Sequence, residues 1–287
     1  MESTRISRKD IEAIVTDGGS LSGMDLQGAD LREAHLVGAD LSGANLARAD
    51  LSKAHLYGAN LQEADLFKAN LAGANLNGTN LQNCNFLGAN LDETRLNDAT
   101  FHRKYMVVNE LQAREARKRG DKETERAKLT EARDVYRLLR RALEGQASSK
   151  DVGMFFAREM VVTRKLMPLY SPHRWWLKLT DLSFGYGERI GRIIISIMII
   201  IVSSALVYGF EGLRYGDTII QYGTGESFLE TAGNLIYFST VVFTTVGFGD
   251  IVPLGPWNKL VMMLEGFSSL LYMAMLIIAI YKRTMER

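Results

Sequence analysis

The sequence predicts a multidomain chain: a small-repeat solenoid, then a helical segment, then an all-α membrane domain. Three observations carry this. Leu or Phe stands at every fifth position from 21 to 101, 17 times in succession. After about residue 185 a largely polar composition gives way to a mostly apolar one, with two stretches long enough to cross a bilayer. Between those stretches lies Thr-Thr-Val-Gly-Phe-Gly-Asp, residues 244–250. The mean hydropathy of −0.04 is therefore an average over unlike parts. At 287 residues and a formal net charge of +1, the chain gives no reason to expect a nucleic-acid partner. Cys84, its one cysteine, leaves no intrachain disulfide and suits a reducing compartment. Residues 1–10 are charged without an apolar core, and no cleaved signal peptide is expected.

A period of five fits neither a helix nor an ordinary strand, so a solenoid is the better reading. Two places before each Leu or Phe stands a small residue, usually Ala, with Met24, Thr79, Cys84 and Thr94 as exceptions. Asp or Asn usually fills the place between, as in Ala29-Asp30-Leu31. This pattern resembles the pentapeptide-repeat family over about residues 21–102. The resemblance implies a right-handed quadrilateral β-helix with about four repeats to a coil and coils about 4.8 Å apart. Residues twenty apart then stack. Cys84 becomes a packed core thiol, and His35, His55, Asn75 and Arg95 form one column. The two imidazoles either sense pH or only replace Asp and Asn in bonding the turn. Val37 over Tyr57 and Phe67 over Leu87 are outward apolar pairs that suit a subunit contact. Some pentapeptide-repeat proteins mimic DNA, but ten acids against five bases over residues 21–102 is a mild excess for that role. An adaptor or spacer, with an unidentified cytoplasmic ligand or protein as partner, is expected instead.

Residues 105–143 are rich in Glu, Lys, Arg, Ala and Leu without Pro, which favours helix. Gly120-Asp121 divides it into two helices. In the second, Leu129, Ala132, Val135, Tyr136, Leu139 and Ala142 form a stripe at helical spacing. A third helix is expected after Ser148-Ser149, which can cap it, continuing to Leu166. Fourteen bases against eight acids over residues 103–150 face either anionic lipid, the acidic repeat or solvent. After Pro168 and Pro172, the run His173-Arg174-Trp175-Trp176-Leu177-Lys178-Leu179 reads as a segment at the bilayer surface. It resembles the slide helix of two-span potassium channels.

Residues 193–208 carry no charge and follow Arg189 and Arg192; a second span at about 257–281 precedes Lys282, Arg283 and Arg287. Bases at both outer flanks place both termini in the cytoplasm, so an integral protein of a plasma or inner membrane is expected. Residues 211–225 read as an extracellular turret, and 229–243 as a short re-entrant helix that stops where residues 244–250 begin. Residues 244–250 resemble the selectivity filter of tetrameric potassium channels. Stacked main-chain carbonyls can replace the water around potassium, and Gly247 and Gly249 permit the backbone angles this requires. The resemblance implies potassium sites at the carbonyls of Thr245, Val246, Gly247 and Phe248 and at the Thr245 hydroxyl, with Gly249 completing the filter. Thr244, Asp250, Tyr237 and Val241 support it, and Tyr237 is placed to hydrogen-bond Asp250. Phe248 replaces the commoner Tyr, and Val241 stands where some relatives carry an acid. The usual hinge glycine aligns with Ser269, with Gly266 one turn earlier. Glu265, an acid in an apolar helix, reads as a structural hydrogen-bonding group behind the pore helix rather than an ion-path residue. An apolar constriction around residues 276–280 is a further gating candidate.

The expected partition is 1–18 an N-terminal cap, 19–102 the repeat, 103–171 a basic helical linker, 172–188 the interfacial helix and 189–287 the pore domain. The expected function is a homotetrameric potassium channel, not an enzyme and without a cofactor beyond its ions. Its repeat is expected to act as a regulatory or assembly module, and its partners to be K+, lipids and its own copies. A less selective cation channel and a membrane-tethered adaptor are the alternatives. No arginine ladder, nucleotide loop or calcium loop assigns an opening signal.

Overall fold

The computed structural model describes residues 6–146, 149–187, 190–223 and 227–285, apart from the side chains of Ser149, Lys282, Arg283 and Met285. The expectations placed on Ser148, Arg189, Gly225 and Arg287, and on the side chains of Ser149, Lys282 and Arg283, lie outside this. The chain forms two compact units, one ending at Lys178 and the other Leu179–Met285.

The first unit opens with helix α1 (Arg8–Thr16), started by a capping box in which Ser7 and Asp10 exchange hydrogen bonds. A parallel solenoid follows. Bridges join residues twenty apart in four ladders, which begin at Asp25, Asp30, His35 and Asp40. Each repeat turns on a hydrogen bond such as Ala34 N–H to the Leu31 carbonyl, 3.1 Å. Its third residue has positive φ, a place taken by Gly38 (+67°) but also by Lys53 (+57°). The Leu column and most of the Ala column are fully buried. Asp and Asn bond along the ladders and back to the chain, as where Asp50 accepts from Asn70 Nδ2 at 3.0 Å and from Ser52 N–H at 3.1 Å.

Three of the exceptions in the Ala column, Thr79, Cys84 and Thr94, share one solution to burying a polar atom. Thr79 and Thr94 donate to the carbonyls of Leu56 and Leu71 at 3.0 Å, and Cys84 Sγ donates to that of Leu61 at 2.8 Å. Each thus reaches the carbonyl 23 residues back, so none of the three leaves its own polar atom buried without a partner.

A solenoid ends in unpaired main-chain groups, and side chains occupy them at both ends. At the start, Glu12 accepts from His35 N–H at 2.8 Å and Arg8 donates to the Arg32 carbonyl at 2.6 Å. At the far end, Gln146 accepts from Leu96 N–H and donates to the Thr94 carbonyl, both at 2.7 Å. Gln146 follows the antiparallel pair α2 (Val108–Lys118) and α3 (Lys122–Leu143), and α4 (Ser149–Leu166) comes next. These helices share the solenoid's core: Phe155 of α4 meets Phe101 edge-on at 5.0 Å and Tyr105 at 5.3 Å. The segment expected as a linker is therefore a cap, because its apolar stripe has the open end of the solenoid to cover. Leu129, Ala132, Val135, Tyr136 and Leu139 of the expected stripe are buried, and only at its end does the burial differ, with Leu143 fully buried and Ala142 partly.

Helix α5 (Pro172–Phe184) crosses from the first unit into the second. After a 3₁₀ turn at Gly185–Gly187 come α6 (Ile190–Glu211), α7 (Phe228–Phe243) and α8 (Gly255–Met285). The all-α expectation needs correction. Strands β1 (Leu213–Tyr215), β2 (Thr218–Ile220) and β3 (Ile251–Pro253) form an antiparallel sheet in the order β2-β1-β3. The described part of the expected turret is thus largely a hairpin. Its two-residue turn, Gly216-Asp217, has Gly216 at φ +58°, and Leu213 and Ile220 are buried.

Candidate functional site

The site is residues 244–250, held between α7 and β3. Helix α7 starts at Ser227, whose hydroxyl accepts from Glu230 N–H at 3.3 Å, and ends at Thr244, whose amide and hydroxyl both donate to the Thr240 carbonyl. Beyond it every second residue turns left-handed: Thr245 (+57°), Gly247 (+58°) and Gly249 (+73°). Alternation of hand lets successive carbonyls align along one side of the segment, where regular strand would point them to opposite sides. Thr245 shares this conformation although it is β-branched and pays for it in strain. The glycines had been the only visible signal of the pattern. Around Gly247 and Gly249 no atom of this chain would obstruct a Cβ, so the requirement for Gly is conformational.

Few contacts within the chain hold the segment. Val246 N–H donates to the Val241 carbonyl at 3.2 Å, and Tyr237 Oη donates to Asp250 Oδ2 at 2.9 Å. Val246 and Phe248 are more than half exposed. The Thr245 hydroxyl donates to the Thr244 carbonyl at 2.7 Å, leaving its oxygen lone pairs for another partner.

Behind α7, Glu265 of α8 is buried and joins three helices. It accepts from Tyr208 Oη of α6 at 2.6 Å and from the Ser239 hydroxyl of α7, which also lies 2.9 Å from the Ile201 carbonyl. The other gating candidates do not gather at a hinge. Helix α8 runs unbroken through Gly266 and Ser269, and the Ser269 hydroxyl bonds its own helix at the Gly266 carbonyl, 2.8 Å. Of residues 276–280, Ala279 packs with Ile193 and Phe184 while Ile277, Ile278 and Ile280 are exposed.

Sequence reasoning missed a clamp on the far side of the site. The buried Asn258 Nδ2 donates to the carbonyls of Tyr208 at 3.0 Å and Gly212 at 2.9 Å, while its own N–H donates to Glu211 at 2.9 Å. Leu254 N–H also reaches the Gly212 carbonyl, 3.1 Å. With β1–β3 pairing, this fastens the chain leaving residue 250 to the end of α6. The signal was present in Gly216-Asp217 between two short apolar runs, but Asn258 had none.

Helix α6 and residues Gly255–Tyr281 of α8 are long and apolar enough to cross a membrane. Residues 25–62 and 64–103 match the family described as pentapeptide repeats, and residues 193–286 match the family described as ion channel. No curated protein matches the chain. Among solved structures, a pentapeptide repeat protein from Nostoc Pcc 7120 is 34% identical over 35% of this chain and 85% of its own, with a TM-score of 0.27. One from the Arabidopsis thaliana thylakoid lumen is 30% identical over 32% of this chain and 55% of its own, TM-score 0.20. One from the cyanobacterium Cyanothece 51142 is 38% identical over 29% and 56%, TM-score 0.17. This chain thus spans just over half the length of the latter two, and TM-scores this low establish no common fold for the whole molecule. The chain is a membrane protein that joins pentapeptide repeats to an ion-channel domain.

Proposed function

We propose that the protein is a homotetrameric, potassium-selective channel, with its repeat a cytoplasmic regulatory or assembly module built as a right-handed quadrilateral β-helix. The observation that carries this is the left-handed alternation at Thr245, Gly247 and Gly249, directly after the carbonyl end of a short apolar helix. Four such segments around one axis would offer rings of main-chain oxygen to a dehydrated cation, at the carbonyls of Thr245, Val246, Gly247 and Phe248 and the Thr245 hydroxyl. The exposure of Val246 and Phe248 in one chain suits a segment completed by other copies, since irregular backbone at membrane depth needs protein or water around it. The carbonyl end of α7 carries partial negative charge, which favours a cation below the filter. Glu265 serves as the structural bond between helices and not as an ion ligand. Both termini lie in the cytoplasm of a plasma or inner membrane on this reading.

The test is the reversal potential of purified protein in liposomes under opposed potassium and sodium gradients, with barium block. A reversal near the potassium equilibrium potential supports the proposal. One near zero identifies a less selective cation channel, in keeping with the apolar Phe248 and Val241. Absence of flux under every condition points to a membrane-tethered adaptor.

A further inference from the structure

Between the start of α3 and the end of α4 lies a groove of about 530 Å³. Lys122 and Arg126 of α3 and Lys165 of α4 line it, against one acid, Glu125. The ion pairs nearby go elsewhere: Lys128 to Glu131, and Arg114 and Lys165 to the buried Glu110. Lys122 and Arg126 are exposed and have no acid partner among the described residues. They stand near the start of α3, whose other N-terminal acids, Asp121 and Glu123, do not line the groove. The rest of the wall is apolar, from the buried Leu129 through Leu166 and Met167 to the exposed Leu169.

The rim continues into a surface suited to the bilayer interface. Arg174 Nη1 donates to the Met167 carbonyl at 2.5 Å, tying this lip to the start of α5. There Trp175 and Trp176 are more than half exposed, the Lys178 ammonium lies 4.8 Å from the Trp175 ring centroid, and Tyr170 is 94% exposed. Exposed Trp and Tyr beside Lys and Arg, shortly before a membrane span in the chain, belong at headgroup depth.

We propose that the groove binds the headgroup of an anionic phospholipid, its phosphate on Lys122 and Arg126 and its glycerol and first acyl carbons along Leu166, Met167 and Leu169. A soluble phosphate compound would use the cations but leave the apolar wall and aromatic rim without a role. The inference rests on the membrane location of the protein and is independent of its ion selectivity.

The test is hydrogen exchange of the full chain in phosphatidylcholine nanodiscs with increasing phosphatidylglycerol. Phosphatidylglycerol is expected to slow exchange over residues 122–129 and 165–169. At about fivefold in apparent affinity per basic residue near a lipid surface, Lys122→Gln with Arg126→Gln weakens this roughly 25-fold. Slow exchange retained over the buried part of α3 in the double variant shows that its fold is intact. Arg48→Gln with Lys68→Gln, on the solenoid, removes equal charge and leaves the protection as it was. The proposal is overturned if phosphatidylglycerol gives no protection there, if the solenoid variant loses as much, or if inorganic phosphate in phosphatidylcholine alone protects equally.

Discussion

Gly249 shows how little of a residue's importance lies in its contacts. A Cβ there meets nothing in the chain, yet its φ of +73° costs an L-residue about 1–2 kcal/mol. Gly249→Ala should therefore abolish conduction in liposomes while leaving the oligomer intact on native mass spectrometry; wild-type flux from the variant would remove the conformational argument. Cys84 is the opposite case, decided wholly by surroundings. Burial pushes its thiol up to about 12 from an ordinary 9.0, partly offset by a main-chain hydrogen bond from that region of the core. A folded-state value above the unfolded one means the neutral thiol is favoured by folding. The associated stability is present below about pH 9 and is lost as pH rises toward 12. At pH 8 a thiol reagent should label Cys84 only after denaturation, and rapid labelling of the native protein would show that the core opens.

At the scale of elements, the Asn258 clamp and the helical cap each join pieces distant in sequence. Asn258→Ala removes the donor to two buried carbonyls, each of which keeps one main-chain partner, and should cost about 1–3 kcal/mol. A lowered thermal midpoint of the detergent-solubilised protein would register this, and an unchanged midpoint would show the clamp to be idle. In the cap, Glu110 is fully buried between α2 and its neighbours. Burial alone raises its pKa, but Lys165, the Tyr136 hydroxyl, Arg158 and Arg114 together hold it below the ordinary 4.5. A depressed folded value means that this stability is present above about pH 4.5 and is lost as pH falls through the folded value. Acid titration of the cap's unfolding should steepen in that window for the native chain and flatten for Glu110→Gln. Identical curves for the two would show that other carboxylates set the acid limit.

At the scale of the molecule, the first unit includes the solenoid and its helical cap, so a cut at residue 102 passes through a core rather than between domains. Deleting residues 1–102 would bare Phe155, Tyr136 and Leu139, which are buried against that core, whereas deleting 1–171 removes solenoid and cap together. The shorter deletion should aggregate on size exclusion and the longer one should yield soluble, detergent-bound protein. Monodisperse protein from the shorter deletion would mean that the cap folds without the solenoid. By itself the sequence determined the repeat period, the two apolar helices and the segment between them, because each is written in the spacing or composition of neighbouring residues. It also placed Tyr237 within reach of Asp250, through family resemblance at two nearby positions. Only the tertiary structure decided that Thr79, Thr94 and Cys84 answer to carbonyls 23 residues back, that Gln146 closes the solenoid, that Asn258 holds α6, and that β3 pairs with β1. The first three share one separation, 23 residues, which the coil sets only once it has formed; the others join groups whose separation follows no period, and a lone polar side chain does not reveal which distant main-chain group will be left unpaired beside it once the core has closed.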